Sequence, residues 1–253
     1  MTRTTEESKK VKYAFFVIGS GGTGTFFLKE ISRYFASGVH GEDLAELFIF
    51  DGDTVEDKNL ARQAFAEEDI GINKAVVMAD VLNASFGTKW CSIGEYLTDK
   101  EQLKKLIPFS GHNEVIIPVI IGCVDNHGCR LLLEELFDEL DNVCYLDSAN
   151  EFHAGESVFA YKLAGTVVSP CRSSYFPEIK DGDKRNRTEM SCEELNNVAP
   201  QHVVTNMLAG QVLFSEVTSL LDKHPHPGLV TFDAGEFIME YVPYKPASSV
   251  NAA

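Results

Sequence analysis

The sequence predicts an α/β fold with a Rossmann-like, mostly parallel sheet and helices on both of its faces, on three observations. Short, continuous apolar runs recur along the chain, the pattern of strands buried on both sides. Segments with apolar residues at helical spacing separate them. The first run breaks at a glycine-rich turn that opens directly into such a segment. At 253 residues with 44% hydrophobic content, the chain suffices for one sizeable core. A single domain is therefore expected over residues 1–253, with an α/β core at 11–150. A long functional loop of crossover type follows at 165–200, and a C-terminal helix and antiparallel hairpin at 201–253.

The elements follow in order. Val11 to Ile18 is the first strand, ended by Gly19, and Phe27, Ile31, Tyr34 and Phe35 place a helix over Thr23 to Phe35. Leu47 to Phe50 is a short strand ending at Asp51, and Asn73 to Phe86 reads as the next helix. Val115 to Cys123 is a buried strand in which Pro118 removes one ladder donor, so an irregularity is expected there. A helix at Arg130 to Leu140 leads to a strand at Val143 to Leu146. Ser157 to Leu163 alternates as a half-buried strand, after which Pro170 to Asn197 has no period and includes the basic run Lys180 to Arg187. Gln201 to Leu221 is helical, and Val230 to Phe232 with Phe237 to Val242 flank Asp233–Glu236 as a hairpin.

Composition excludes several function classes. A formal charge of −16 and a pI near 4.8 oppose a polyanionic partner, so no nucleic acid is expected. No apolar run approaches the roughly 20 residues of a membrane span, and Met1 to Lys10 is polar, so a cytoplasmic protein without a membrane partner is expected. Six cysteines, at 91, 123, 129, 144, 171 and 192, show no paired spacing that would indicate a disulfide framework.

The residues that carry chemistry begin with Gly19-Ser20-Gly21-Gly22-Thr23-Gly24. This run fits G-x-G-x-x-G, in which glycines bring backbone N–H groups and a helix N-terminus up to a phosphate. Asp51, at the end of the second strand, can accept hydrogen bonds from a ribose. Up to this point a nicotinamide-dependent oxidoreductase would look the same. Arg62 and Lys74 favour α-phosphoryl transfer instead, because cleavage between the α and β phosphates needs cations and hydride transfer does not.

With Asp51, Asp53, Val55, Asn59, Leu60, Arg62, Gln63, Lys74 and Cys123-Val124-Asp125-Asn126 in order behind the glycine turn, the chain resembles the ThiF/MoeB/HesA family, adenylyltransferases related to ubiquitin-activating enzymes. The resemblance covers roughly residues 13–150 and, more loosely, extends to about residue 222. It implies ATP and Mg²⁺ as cofactors. It further implies that Asp51 holds the ribose, that Asn59, Arg62, Gln63 and Lys74 engage the phosphates, and that Asp125 binds Mg²⁺. That last role suits an ion that keeps several waters and is often held by one carboxylate and substrate phosphates. Gly19, Gly21, Gly22, Gly24, Asp53 and Asn126 complete the implied nucleotide site. Arg62, Lys74, Asp125 and Cys192 are the implied catalytic residues. Taken singly, Arg62 and Lys74 could be solvated charges, and Asp125 with Asn126 a helix cap.

The resemblance also implies the partner: a ubiquitin-like β-grasp or sulfur-carrier protein whose C-terminal Gly carboxylate is adenylated. A homodimer is expected as well. The family often carries two C-x-x-C pairs for zinc. Here Cys171-Arg-Ser-Ser174 keeps one cysteine of the first pair and none follows Cys192, so no structural zinc is expected. This loss and the short length are similar to ThiF-like members of plasmid, phage and integrative-element cassettes. Cys192, in Met-Ser-Cys-Glu-Glu, resembles a family position that accepts the activated acyl group as a thioester or joins sulfur transfer, and Cys171 is a weaker candidate nucleophile. The family's arginine supplied in trans has only Arg3 as a counterpart before the first strand. An inactive scaffold subunit of the same fold is the alternative of a different class.

Overall fold

The computed structural model describes residues 9–61, 63–181 and 202–245. Among these residues, nine strands form one sheet in the order β3-β2-β1-β4-β5-β6-β8-β9, with β7 also paired to β6. The strands are β1 (Lys10–Ile18), β2 (Leu44–Phe50), β3 (Cys91–Ile93), β4 (Glu114–Gly122), β5 (Val143–Asn150), β6 (Ala154–Leu163), β7 (Thr166–Ser169), β8 (Gly228–Asp233) and β9 (Ile238–Pro243). The first five pair in parallel, and every pairing from β5–β6 onward is antiparallel. The expected mostly parallel sheet and C-terminal hairpin are both present.

Among the described residues, five helices cover the two faces: α1 (Gly22–Ala36), α2 (Lys74–Phe86), α3 (Lys100–Lys104), α4 (His127–Glu139) and α5 (Val203–Leu221). Alternate residues of β1 divide the core. Phe15 and Val17 pack with Phe27 and Ile31 of α1, Leu82 of α2 and Leu213 of α5. Phe16 and Ile18 pack with Leu103 of α3 and Leu133 and Phe137 of α4. Period-two strands with both faces apolar thus read as the continuous runs seen in the sequence.

The helix boundaries follow local chemistry. The Asn73 side chain accepts from the N–H groups of Ala75 and Val76, which starts α2 at Lys74. Asn126 Oδ1 accepts from Cys129 N–H, so α4 begins at His127, three residues before the expected start. Pro118 leaves the β1–β4 ladder regular, with Ala14 opposite it, and pairing with β5 begins only at Val119. The missing donor therefore falls outside that ladder. β5 continues past Leu146 to Asn150 because β6 pairs with it through Asn150–Gly155. Three elements lay beyond sequence pattern: β3 and α3 are too short to show a period, and β7 occupies part of the expected loop at 165–200. That segment also has 3₁₀ turns at Arg172–Ser174 and Pro177–Lys180, while 182–201 lies outside the described residues.

One buried acid sits in the layer between α5 and β6. Glu216 Oε2 accepts from Ser157 Oγ at 2.7 Å, its Oε1 has no partner, and burial pushes its carboxyl up to about 8. The folded chain therefore keeps a proton that the unfolded chain releases near 4.5, and stability falls as pH rises between these values. Glu216→Gln should raise Tm at pH 8 by roughly 5 °C or more beyond any change at pH 5, on a scale of about 2–4 °C per kcal/mol. Thermal melts at the two pH values check this, and equal shifts at both would contradict it.

Candidate active site

The C-terminal ends of β1, β2, β4 and β5 open onto a cleft of about 520 Å³, the place where open parallel sheets bind ligands. Ten of the residues named from sequence line it: Gly19, Gly21, Gly22, Asp51, Asp53, Asn59, Gln63, Lys74, Asp125 and Asn126. Gly24 lies beneath instead. Gly19 has φ +96°, and a Cβ at Gly24 would stand 2.1 Å from the Gly19 carbonyl oxygen, so the turn folds back on the first turn of α1. Arg62 and Cys192 lie outside the described residues.

Around the turn, Asp51 Oδ2 accepts from the backbone N–H and the hydroxyl of Ser20, at 2.7 and 2.9 Å, and Oδ1 accepts from Asp53 N–H. Burial, with Asp53 beside it, raises the Asp51 carboxyl above its ordinary range, against the pull of Lys74 and those N–H groups. Lys74 is buried at the start of α2, with Nζ 3.1 Å from Asp53 Oδ2. The Tyr96 hydroxyl donates to the other oxygen of Asp53. Asn59 is committed to Glu56 N–H, and Asn126 to capping α4. Gln63 Oε1 is buried with no partner, while the Gln63 amide nitrogen faces Gly21. The glycine turn and an enclosed cation fit the phosphates of a nucleotide, whereas the unmet amide oxygen of Gln63 calls for a donor.

Asp125 is exposed at the cleft mouth. Among the described residues no group of three His, Cys, Asp or Glu could by itself hold a metal ion. One carboxylate at the mouth still fits Mg²⁺, which completes its shell with water and phosphate oxygens.

The far half of the cleft, beyond Asp125, rests on residues that the sequence reading did not single out as site residues. Asp147 is fully buried between two guanidinium groups. Arg130 Nε stands 3.2 Å from its Oδ1, and Arg172 Nε donates to its Oδ2. Arg130 also donates to the carbonyls of Val124 and Ser148, and Arg172 to those of Asp147 and Glu156 and, at 2.6 Å, to the Glu156 carboxylate. Burial works against the charge on Arg172, yet Asp147 and Glu156 hold its pKa above the ordinary value. On the other side, Thr23 Oγ1 donates to Asn150, whose amide donates to Asn206 on α5. Only the spatial meeting of these residues identifies them, and Arg172 came from a segment without period.

The described cysteines are all free thiols. Cys171 is buried, and its thiol is pushed up by burial and by Glu134 and Asp138, which disfavours the thiolate that a nucleophile needs.

A model of the ThiF family matches residues 4–251. No curated protein sequence matches. Among solved structures, Escherichia coli MccB with ATP is similar at TM-score 0.61 and 18% identity, over 91% of this chain and 63% of that one. MccB with AMPCPP and MccA is similar at TM-score 0.62 and 17% identity, over 92% and 65%. PaaA is similar at TM-score 0.62 and 14% identity, over 91% and 64%. The chain thus spans somewhat under two thirds of the length of these structures, and at such identities the likeness is one of fold.

Removing one partner from the buried Asp147 cluster should be costly. Arg172→Ala should lower unfolding free energy by about 3–5 kcal/mol, the usual cost of an uncompensated buried charge. Arg172→Lys should recover only part of it, since one ammonium cannot span both carboxylates and the carbonyls. Denaturant titration measures both, and a loss under about 1 kcal/mol for Ala would place the pair among exposed ones.

Proposed function

Because the chain belongs to the ThiF family, we propose that it is an ATP-dependent adenylyltransferase acting on the C-terminal carboxylate of a ubiquitin-like β-grasp protein that ends in glycine. The observation that carries this reading is the meeting of the glycine turn, Asp51, Gln63, buried Lys74 and exposed Asp125 in one cleft with room beyond them for a second ligand. The crystallisation of MccB with both AMPCPP and MccA supports a nucleotide and a second component side by side.

In this reading a carboxylate oxygen attacks the α-phosphorus, the bond to the β-phosphate oxygen breaks, and pyrophosphate leaves. The chain contributes positioning and charge rather than covalent chemistry in this step. Asp51, held by Ser20 and by Asp53 N–H, offers its remaining lone pairs to the ribose. The first turn of α1 and Gln63 face the phosphates, with Asn59 bracing the loop that carries Gln63. Lys74 supplies a cation whose place is set by Asp53, and Arg62 supplies a second. Asp125, with Asn126 fixing the start of α4 behind it, would hold Mg²⁺, which adds positive charge at the phosphate oxygens. The Cys192 thiolate then attacks the acyl carbonyl, the bond to the phosphate oxygen breaks, and AMP leaves as the thioester forms. Exposed apolar side chains on α5 (Val204, Met207) and β9 (Ile238, Met239, Tyr241, Val242) support a homodimer.

A second reading, a nicotinamide oxidoreductase, is disfavoured by the enclosed cation at the phosphate end. Calorimetric titration should show binding of MgATP and none of NAD, and the reverse would overturn the adenylation reading. Lys74→Ala, Asp125→Ala or Arg62→Ala should each lower ATP–pyrophosphate exchange by on the order of 100-fold. Cys192→Ala should leave exchange intact and abolish a thiol-sensitive adduct with the ubiquitin-like protein on non-reducing gels. Persistence of the adduct would move that role to another thiol. Light scattering should give twice the 28.0 kDa chain mass, and the mass of a single chain at micromolar concentration would contradict the dimer.

A further inference from the structure

Arg130 is anchored in the cleft floor with one nitrogen left over. It stands in the first turn of α4, and its side chain is 6% exposed. Nε donates to Asp147 Oδ1 at 3.2 Å, and Nη2 donates to the carbonyls of Val124 and Ser148 at 2.6 and 3.3 Å. These contacts wedge the guanidinium between the segment leaving β4 and the end of β5, where Val124, Ser148 and Arg130 itself line the cleft. Nη1 has no hydrogen-bond partner among the described residues. Gln63 Oε1 and His127 Nδ1 are unpartnered too, but they are enclosed by protein, whereas Arg130 Nη1 is not. A planar guanidinium fixed through two nitrogens, with the N–H groups of the third left over, is a preorganised donor.

Place and charge indicate which ligand atom it meets. Asp51, Lys74 and the glycine turn occupy the nucleotide half, and Asp125, one residue past Val124, stands at the boundary. A donor held between Val124 and Ser148 therefore meets the part of the ligand that follows the phosphate. The charges of Arg130 and Arg172 are balanced by Asp147 and Glu156, and Glu151 and Glu178 line the same half. That surplus of carboxylates disfavours another anion and leaves a neutral oxygen as the suitable acceptor. The same guanidinium already binds two neutral carbonyls through Nη2.

We propose, on the basis of the adenylation reading above, that Arg130 donates from Nη1 to the acyl carbonyl oxygen of the adenylate, so that the site recognises the acyl group by its carbonyl as well as by the nucleotide attached to it. The contact requires no change of charge and no break in the Asp147 cluster.

The test uses the full chain and two stable probes of equal charge: adenosine 5′-(3-acetamido-2-oxopropyl)phosphonate, whose ketone stands at the acyl carbonyl, and adenosine 5′-(3-acetamidopropyl)phosphonate, in which a methylene replaces that ketone. In calorimetric titrations the wild type should bind the keto probe about tenfold more tightly, the effect of one hydrogen bond. Arg130→Lys, whose single ammonium can stay with Asp147 but has no second donor for the ligand, should bring the two probes to within about twofold of each other. AMP affinity should change less than about twofold. A crystal structure of the wild type with the keto probe, which needs no variant to fold, should place the ketone oxygen within about 3.2 Å of Arg130 Nη1. No wild-type preference, a preference kept in Arg130→Lys, equal loss of both probes and AMP in that variant, or a ketone oxygen held by another donor would each overturn the proposal. Failure of the wild type to bind AMP or MgATP would instead sink the adenylation reading on which it rests.

Discussion

The C-terminal edge of the sheet depends on one buried carboxylate. Asp147 projects from β5 into a space walled by Arg130 of α4 and Arg172 of the segment after β7, and the two guanidinium groups reach from it to the carbonyls of Val124, Ser148 and Glu156. The end of β4, the ends of β5 and β6 and the first turn of α4 are thereby tied at a single point. A charge removed from water is tolerated only with such compensation. The cost of breaking it makes the cluster a positional constraint: when Asp147 and its arginines are in place, the cleft floor has one arrangement. Asp125 and Asn126, on the loop entering α4, and His127, its first residue, lie next to this cluster.

The nucleotide half is built on a different balance. The chain carries a formal charge of −16, and two carboxylates, Asp51 and Asp53, stand where an anion is expected. Asp51 is absorbed by the backbone of the glycine turn, and Asp53 by Lys74 and Tyr96. The local field is then set by the start of α1 and by Lys74, which Asp53 holds in place. Lys74 therefore has a fixed position before any ligand arrives, a preorganisation that a lysine on the surface would lack.

The two halves meet through paired helices. Thr23 on α1 bonds Asn150 at the end of β5, and Asn150 bonds Asn206 on α5. The first turn of α5 is thereby tied to the glycine turn and to the end of β5 by the same side chains.

Alternation of continuous apolar runs and helical periods specified the parallel sheet and its two helical faces, because burial on both sides leaves no other residue pattern available to such strands. The glycine turn, Asp51 and Lys74 were site candidates by residue type and spacing, and Asn59, Gln63 and Asp125 by the family resemblance; the structure brings them to one cleft. Tertiary structure alone decided the rest. β3, α3 and β7 are too short for a period to emerge, and their existence follows from neighbours already in place. Arg172 lies in a stretch without pattern and Asp147 within an ordinary strand, 25 residues apart. His127 differs from any surface histidine only in the cleft around it and in its unmet Nδ1. Burial, ion pairing and an unpartnered polar atom are properties of the space a side chain occupies. They arise only when segments distant in sequence close around it.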